Sequence, residues 1–101
     1  SRTILMHMVI AKAPIIVIEQ AMNAGFDPDA RDSFGWTAAM YAAHMGFEEI
    51  LDCMDGVIDV ELEVADGVTV GDALRRFGYS DFVAVQELYI EERVALAEQA
   101  L

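Results

Sequence analysis

The spacing of apolar positions changes along the chain, and each change predicts an element. Ile4 to Lys12 (ILMHMVIAK) is almost wholly apolar and predicts a short helix buried on most sides. Pro14 suits the first turn of a second helix, where a missing N–H costs nothing. Ile15, Val17, Ile18, Ala21 and Met22 carry that helix to Asn23-Ala24-Gly25, with Gly25 as the residue that ends it. FDPDARDSFG, from Phe26 to Gly35, has turn chemistry throughout and predicts a polar loop. Thr37 to Met45 (TAAMYAAHM) predicts a small-residue helix closed by Gly46. Glu48 to Met54 predicts another, with acids in the first turn where the helix dipole favours them.

After Gly56 the period falls to two. Ile58, Val60, Leu62 and Val64 alternate with Asp59, Glu61 and Glu63, which predicts a strand. Ala65-Asp66-Gly67 supplies a turn and Val68-Thr69-Val70 a return, so the stretch 57–70 reads as a hairpin. Val70 to Phe77 predicts a short helix closed by Gly78. Ser80 to Leu101 contains neither Gly nor Pro and predicts a long helix with Ser80 as its N-cap.

The same unit recurs: short helix, Gly, short helix, Asp-rich loop. Asp27 aligns with Asp59, Gly35 with Gly67, Thr37 with Thr69 and Gly46 with Gly78, all at an offset of 32. Gly25-Phe26-Asp27-Pro28-Asp29-Ala30-Arg31-Asp32-Ser33-Phe34-Gly35-Trp36-Thr37, followed by Ala42-Ala43-His44-Met45-Gly46-Phe47-Glu48-Glu49-Ile50-Leu51, closely resembles the ankyrin repeat, whose period is about 33 residues. The match is specific over 25–51, because three glycines, an Asp, a Thr and an Ala-Ala pair hold one register. It is weaker over 57–83, where Leu74-Arg75 replaces the alanines, and over 3–24, where Val17-Ile18 stands for the family's Ile-Val.

The resemblance implies a mainly all-α fold, an ankyrin-type helix-turn-helix solenoid with β-hairpin-like loops and a long C-terminal helix. It implies one domain over 1–101 with repeats at about 3–24, 25–56 and 57–101. The family's Thr-Pro-Leu-His becomes Thr37-Ala38-Ala39-Met40 and Thr69-Val70-Gly71-Asp72, so the histidine that ties neighbouring loops in the family is missing. Val64 replaces the loop aspartate that Asp32 supplies one repeat earlier.

It also implies a non-catalytic protein–protein interaction module. The family's usual contact positions are the finger tips and the residues just before the helix-ending Gly. Here they are Ser33, Phe34 and Trp36 on one finger and Asp66 and Val68 on the next. On the inner helices they are Tyr41, His44 and Met45, then Arg76 and Phe77. Trp36 suits either an interface anchor or partial burial against the neighbouring finger. Val94, Ala97 and Leu101 continue the apolar stripe of the last helix past the repeat, where they either cap the stack or join a second chain as a homodimer.

Charge narrows the partners. The chain has 18 acidic residues against 6 Lys+Arg, a net −12, while 55% of residues are hydrophobic. That apolar content supports a core rather than disorder. The acidity excludes direct binding to nucleic acid through phosphate neutralisation and argues against docking on anionic lipid. No apolar run reaches the roughly 20 residues of a membrane span, and no signal-peptide pattern is present. Residues 27–72 hold twelve acids against one base, Arg31. This concentration is either a solubilising face or a lure for a basic partner. The second case makes the protein an acidic inhibitor or nucleic-acid mimic that occupies a basic cleft.

Catalytic and metal patterns are absent from the sequence, so neither an enzyme nor a cofactor is expected. His7 and His44 stand far apart with no ligand-spaced Cys or carboxylate for zinc. Asp59-Val60-Glu61-Leu62-Glu63 alternates like a calcium loop, but the sixth position is Val64 rather than Gly. Glu48 and Glu49 are adjacent and point apart on a helix. The six methionines read as core filling. Cys53, the only cysteine, lies in an apolar helical stretch among acids that raise a thiol pKa, so it reads as structural. A lone cysteine also favours a reducing, cytoplasmic location.

Overall fold

The computed structural model describes residues 1–100 and is mainly helical. Six helices form three consecutive pairs: α1 (Ile4–Ile10) with α2 (Ile15–Asn23), α3 (Ala38–His44) with α4 (Glu48–Asp52), and α5 (Val70–Arg76) with α6 (Ser80–Gln99). Between the second and third pairs, β1 (Glu63–Ala65) and β2 (Val68–Thr69) form a small antiparallel hairpin. The inner helices pack in sequence, α1 on α3 and α3 on α5, and α2 packs on α4.

Each inner helix starts in the same way. The hydroxyls of Thr3, Thr37 and Thr69 accept the backbone N–H of Met6, Met40 and Asp72, three residues on. Each satisfies a donor that the first turn leaves unpaired. Inner helices end on a left-handed residue, and here one position differs. Gly46 and Gly78 have φ of 71° and 95°, but the equivalent residue after α1 is Lys12, at φ 55°. A side chain in that region costs roughly 1–2 kcal/mol. The Lys12 ammonium sits 5.1 Å from the centre of the Phe47 ring.

All four sequence matches at offset 32 do equivalent local work. Asp27 and Asp59 each accept the N–H two residues on, from Asp29 and Glu61. Gly35 and Gly67 both have positive φ, as do Gly46 and Gly78, and Thr37 and Thr69 both cap.

The core runs continuously through the pairs: Leu5, Met6 and Val9, then Ile18, then Ala38 to Ala43, then Ile50, Leu51 and Met54, then Ile58, Val60, Val70, Leu74 and Val83. Ala38, Ala39, Ala42 and Ala43 are all buried, which lets α3 approach both neighbours closely. Leu74 takes one alanine position one repeat later and is fully buried. Arg75 takes the other and turns outward to pair with Asp72 and Glu87.

Two sequence expectations need correction. The strand over 58–64 is confined to Glu63–Ala65. Ile58 and Val60 are buried and alternate with exposed neighbours, so the period-two signal is real, but the backbone there is turn. The Asp59 carboxylate closes a turn on Glu61, and the carbonyls of Val60 and Leu62 accept the N–H groups of Gly71 and Val70 at the start of α5. Those acceptors are spent on a helix end instead of a ladder.

Ser80 is not the N-cap of α6. It is the first helical residue, Tyr79 occupies the cap with no side-chain hydrogen bond, and the Tyr79 carbonyl accepts Val83 N–H. In the same helix Val85 and Leu88 face solvent, whereas Gln86 is buried. Val94 is exposed past the repeat body, as is Ala97. Leu101, the last position of that stripe, lies outside the described residues.

Candidate interaction face

The loss of the family's loop-tying histidine does not leave the loops untied. The Asp29 carboxylate accepts Asp59 N–H at 3.0 Å, and Arg31 donates to the Glu63 carbonyl at 2.7 Å. One pair further on, Gln86 of α6 accepts Gly56 N–H at 2.7 Å and donates to the Asp55 carboxylate at 2.6 Å. Tyr89 donates to the other oxygen of Asp55 at 3.1 Å. These side chains link each loop to the next unit, and none of them was visible as a tie in the sequence. The only available signal was their spacing of 30 to 34 residues.

The first finger is built around Asp32. Its carboxylate is buried and accepts from the N–H groups of Phe34 and Trp36 and from the Tyr41 hydroxyl. Burial pushes the carboxyl up, but these three donors outweigh it and hold Asp32 below the usual carboxylate range. Burial and the same bond raise the Tyr41 phenol. Gly35, at φ 82°, completes the turn. A Cβ there would lie 2.4 Å from the Val64 carbonyl oxygen, so Gly35 also sets how closely the two fingers approach.

The finger presents an aromatic ridge. Phe34 is 81% exposed at the tip. Trp36 is half-buried, its ring centre 5.0 Å from Tyr41, 5.5 Å edge-on from His44 and 5.9 Å from Phe77. It therefore packs across the inner helices. His44 and Phe77 stand 5.3 Å apart and close the cluster.

On one side of the ridge lies a groove of about 480 Å³, lined by Phe34, Trp36, Tyr41, His44 and Met45 with Ile10 and Arg2. On the other side a groove of about 350 Å³ is lined by Phe34, Gly35, Trp36 and Met40, by Val64, Ala65 and Val68 of the hairpin, and by Ala73, Arg76 and Phe77. Eight of the ten sequence-selected positions thus line two adjoining grooves. Ser33 and Asp66 line neither. Ser33 sits in a shallow concavity with Arg31 and Asp32, and Asp66 is exposed at the hairpin turn. Tyr41 contributes only a ring to its groove, because it is buried and its hydroxyl is committed to Asp32. Arg2 and Ile10 are lining residues that sequence reasoning missed; the cue lay in the matching of α1 to α3, since Ile10 precedes Lys12 as His44 precedes Gly46.

Cys53 is part-buried, its thiol donating to the Ile50 carbonyl at 2.9 Å. Burial, with Glu19 and Asp52 nearby, pushes its pKa up to about 11, leaving no thiolate at neutral pH. Among the described residues no His, Cys, Asp or Glu cluster is arranged to hold a metal ion. No helix among them is long and apolar enough to cross a membrane.

Capped inner helices, left-handed glycine ends and finger loops recur from one helix pair to the next. Residues 6–54, just under half of the chain, match the family model of ankyrin repeats (many copies), so this stretch is similar to that family. No solved structure matches the chain. Ankyrin repeats generally act as protein–protein interaction modules and are typically non-catalytic.

Proposed function

We propose that the chain is a non-catalytic ankyrin-type solenoid that binds another protein through its finger tips and inner helix face. The observation that carries this reading is Phe34, an almost fully exposed aromatic on a finger whose backbone is fixed by Asp32 and Gly35. Single exposed apolar side chains are ordinary on protein surfaces. This one crowns a ridge with a groove on either side, the arrangement of an interface anchor. The test is capture of host proteins by wild-type chain and by the Phe34→Ala, Trp36→Ala double variant. A protein retained by the first and lost by the second supports the reading; identical retention overturns it.

The acidic-mimic reading rests on the net charge alone. Its weight falls because six of the twelve acids in 27–72 (Asp27, Asp29, Asp32, Asp55, Asp59 and Asp72) accept hydrogen bonds within the protein. They fix turns, caps and loop ties. Ionic strength separates the readings: a mimic loses affinity steeply between low and moderate salt, whereas the aromatic ridge does not. The exposed C-terminal half of α6, with Val94 at 52% and Leu96 at 57%, supports self-association as a lesser mode. Sedimentation that finds only monomer at high concentration sinks it. The lone, protonated Cys53 fits a reducing cytoplasm.

A further inference from the structure

The sign of charge inside the two grooves is opposite to that of the chain. Against a net −12, no carboxylate among the described residues lines either groove. The charged side chains that do are Arg2 in one and Arg76 in the other, with the titratable His44 on the Arg2 side. Other concavities of the molecule carry acids: Glu48 and Glu49 in one, Asp29, Asp59 and Glu61 in another, Asp32 in a third.

Both arginines are exposed, and among the described residues neither forms an ion pair. Arg75 differs, because it is already held by Asp72 and Glu87. Arg2 donates through Nε to the Tyr41 hydroxyl, and its guanidinium carbon lies 5.3 Å from the centre of that ring. The contact holds the head group at the groove wall while its Nη donors stay uncommitted. The carboxylate behind Tyr41, Asp32, is buried and satisfied by three donors, so it does not compete for Arg2. A guanidinium with open N–H groups beside an aromatic wall is suited to a carboxylate, bidentately where geometry allows.

We infer that the occupant of these grooves is an extended segment of another protein in which an aromatic or branched aliphatic residue is flanked by Asp or Glu. The apolar side chain packs against the Phe34–Trp36 ridge, and the carboxylates reach Arg2 and Arg76. This rests on the interaction-module reading and reverses the partner charge that the composition suggests. At physiological salt the screening length is about 8 Å, so the local arginines outweigh distant loop acids for a bound segment.

Selection from a random peptide library tests it, with the full chain as bait and subtraction against the Phe34→Ala, Trp36→Ala double variant. Enriched peptides are then titrated into wild-type chain and followed by fluorescence of Trp36, the only tryptophan. The expected result is enrichment of an apolar residue with neighbouring Asp or Glu. Arg2→Gln and Arg76→Gln should each weaken binding about fivefold, the upper end for an exposed ion pair. Amidating either carboxylate alone should cost a similar factor and remove the sensitivity to the variant of the arginine it reaches. Enriched peptides that are basic or uncharged, or that bind the arginine variants as well as wild type, overturn this inference and leave the interaction face intact. If nothing is enriched over the double variant, the interaction-face reading fails and the inference fails with it.

Discussion

Gln86 gives the most direct test of how the helix pairs are held together. It is fully buried, and its amide joins α6 to the preceding unit by accepting from Gly56 N–H and donating to Asp55. Gln86→Glu preserves the shape and the acceptor for Gly56. It replaces the donor with an oxygen facing the Asp55 carboxylate at what is now a 2.6 Å contact. Two ionised carboxylates at that range repel by about 6 kcal/mol at an effective dielectric near 20. Protonating the new glutamate restores a donor and costs about 4 kcal/mol at pH 7, which caps the penalty. Swinging Asp55 outward is the other escape and forfeits charge-assisted bonds of about 1.5–3 kcal/mol. The variant should therefore be about 2–4 kcal/mol less stable than wild type at pH 7.

The sign of the pH dependence follows from the proton. The folded variant holds it more tightly than the unfolded chain, so the folded-state pKa is raised. The deficit is then greatest above that pKa and shrinks on acidification, by about 1.4 kcal/mol per pH unit, until it levels near the unfolded value of about 4.3. Gln86→Leu has no such proton and should keep its deficit. Urea unfolding followed by far-ultraviolet circular dichroism at pH 7 and pH 5 measures both. A Gln86→Glu deficit under about 0.5 kcal/mol at pH 7, or one unchanged at pH 5, would refute this account of the tie.

Three further outcomes are expected. Gly35→Ala places a Cβ against the Val64 carbonyl in a left-handed conformation and should cost about 2–4 kcal/mol, whereas Gly67→Ala, with open space around it, should cost only about 1–2; equal urea midpoints for the two variants would contradict the close approach. Lys12→Gly should relieve the left-handed backbone and raise the melting temperature by a few degrees, corresponding to about 1 kcal/mol, and a fall would mean that the Phe47 contact outweighs the strain. Asp32→Ala should cost about 2–3 kcal/mol at neutral pH. Because the folded Asp32 pKa is lowered, its contribution is present above about pH 4 and lost as pH falls through the folded value, so wild type and variant should converge in acid on a pH-resolved unfolding series.

The helices were legible because their signals are local. Thr37, Gly46, Thr69 and Gly78 cap or end their helices through their own side chain or backbone, and each sits where the sequence puts it. The 58–64 stretch misled because alternation reports burial, and burial of Ile58 and Val60 is compatible with turns when partner helices take the carbonyls. Ser80 misled because a good capping residue defines no boundary when the preceding residue can begin the turn. The contact positions near Gly35 and Gly46 came from the repeat register. The cationic grooves did not, since Arg2 joins Trp36 and His44 in one groove only once α1 stacks on α3. Nor did the many acids look structural, because the N–H groups they serve lie two to about thirty residues away.

The contact between Gly35 and the Val64 carbonyl has one more consequence. Finger spacing is fixed there by main chain meeting main chain. Phe34, Val68 and Arg76 can therefore be exchanged without moving the framework that displays them. Specificity can drift or be re-engineered on this face while foldability stays constant, so the two properties are separately mutable in a chain of one hundred and one residues.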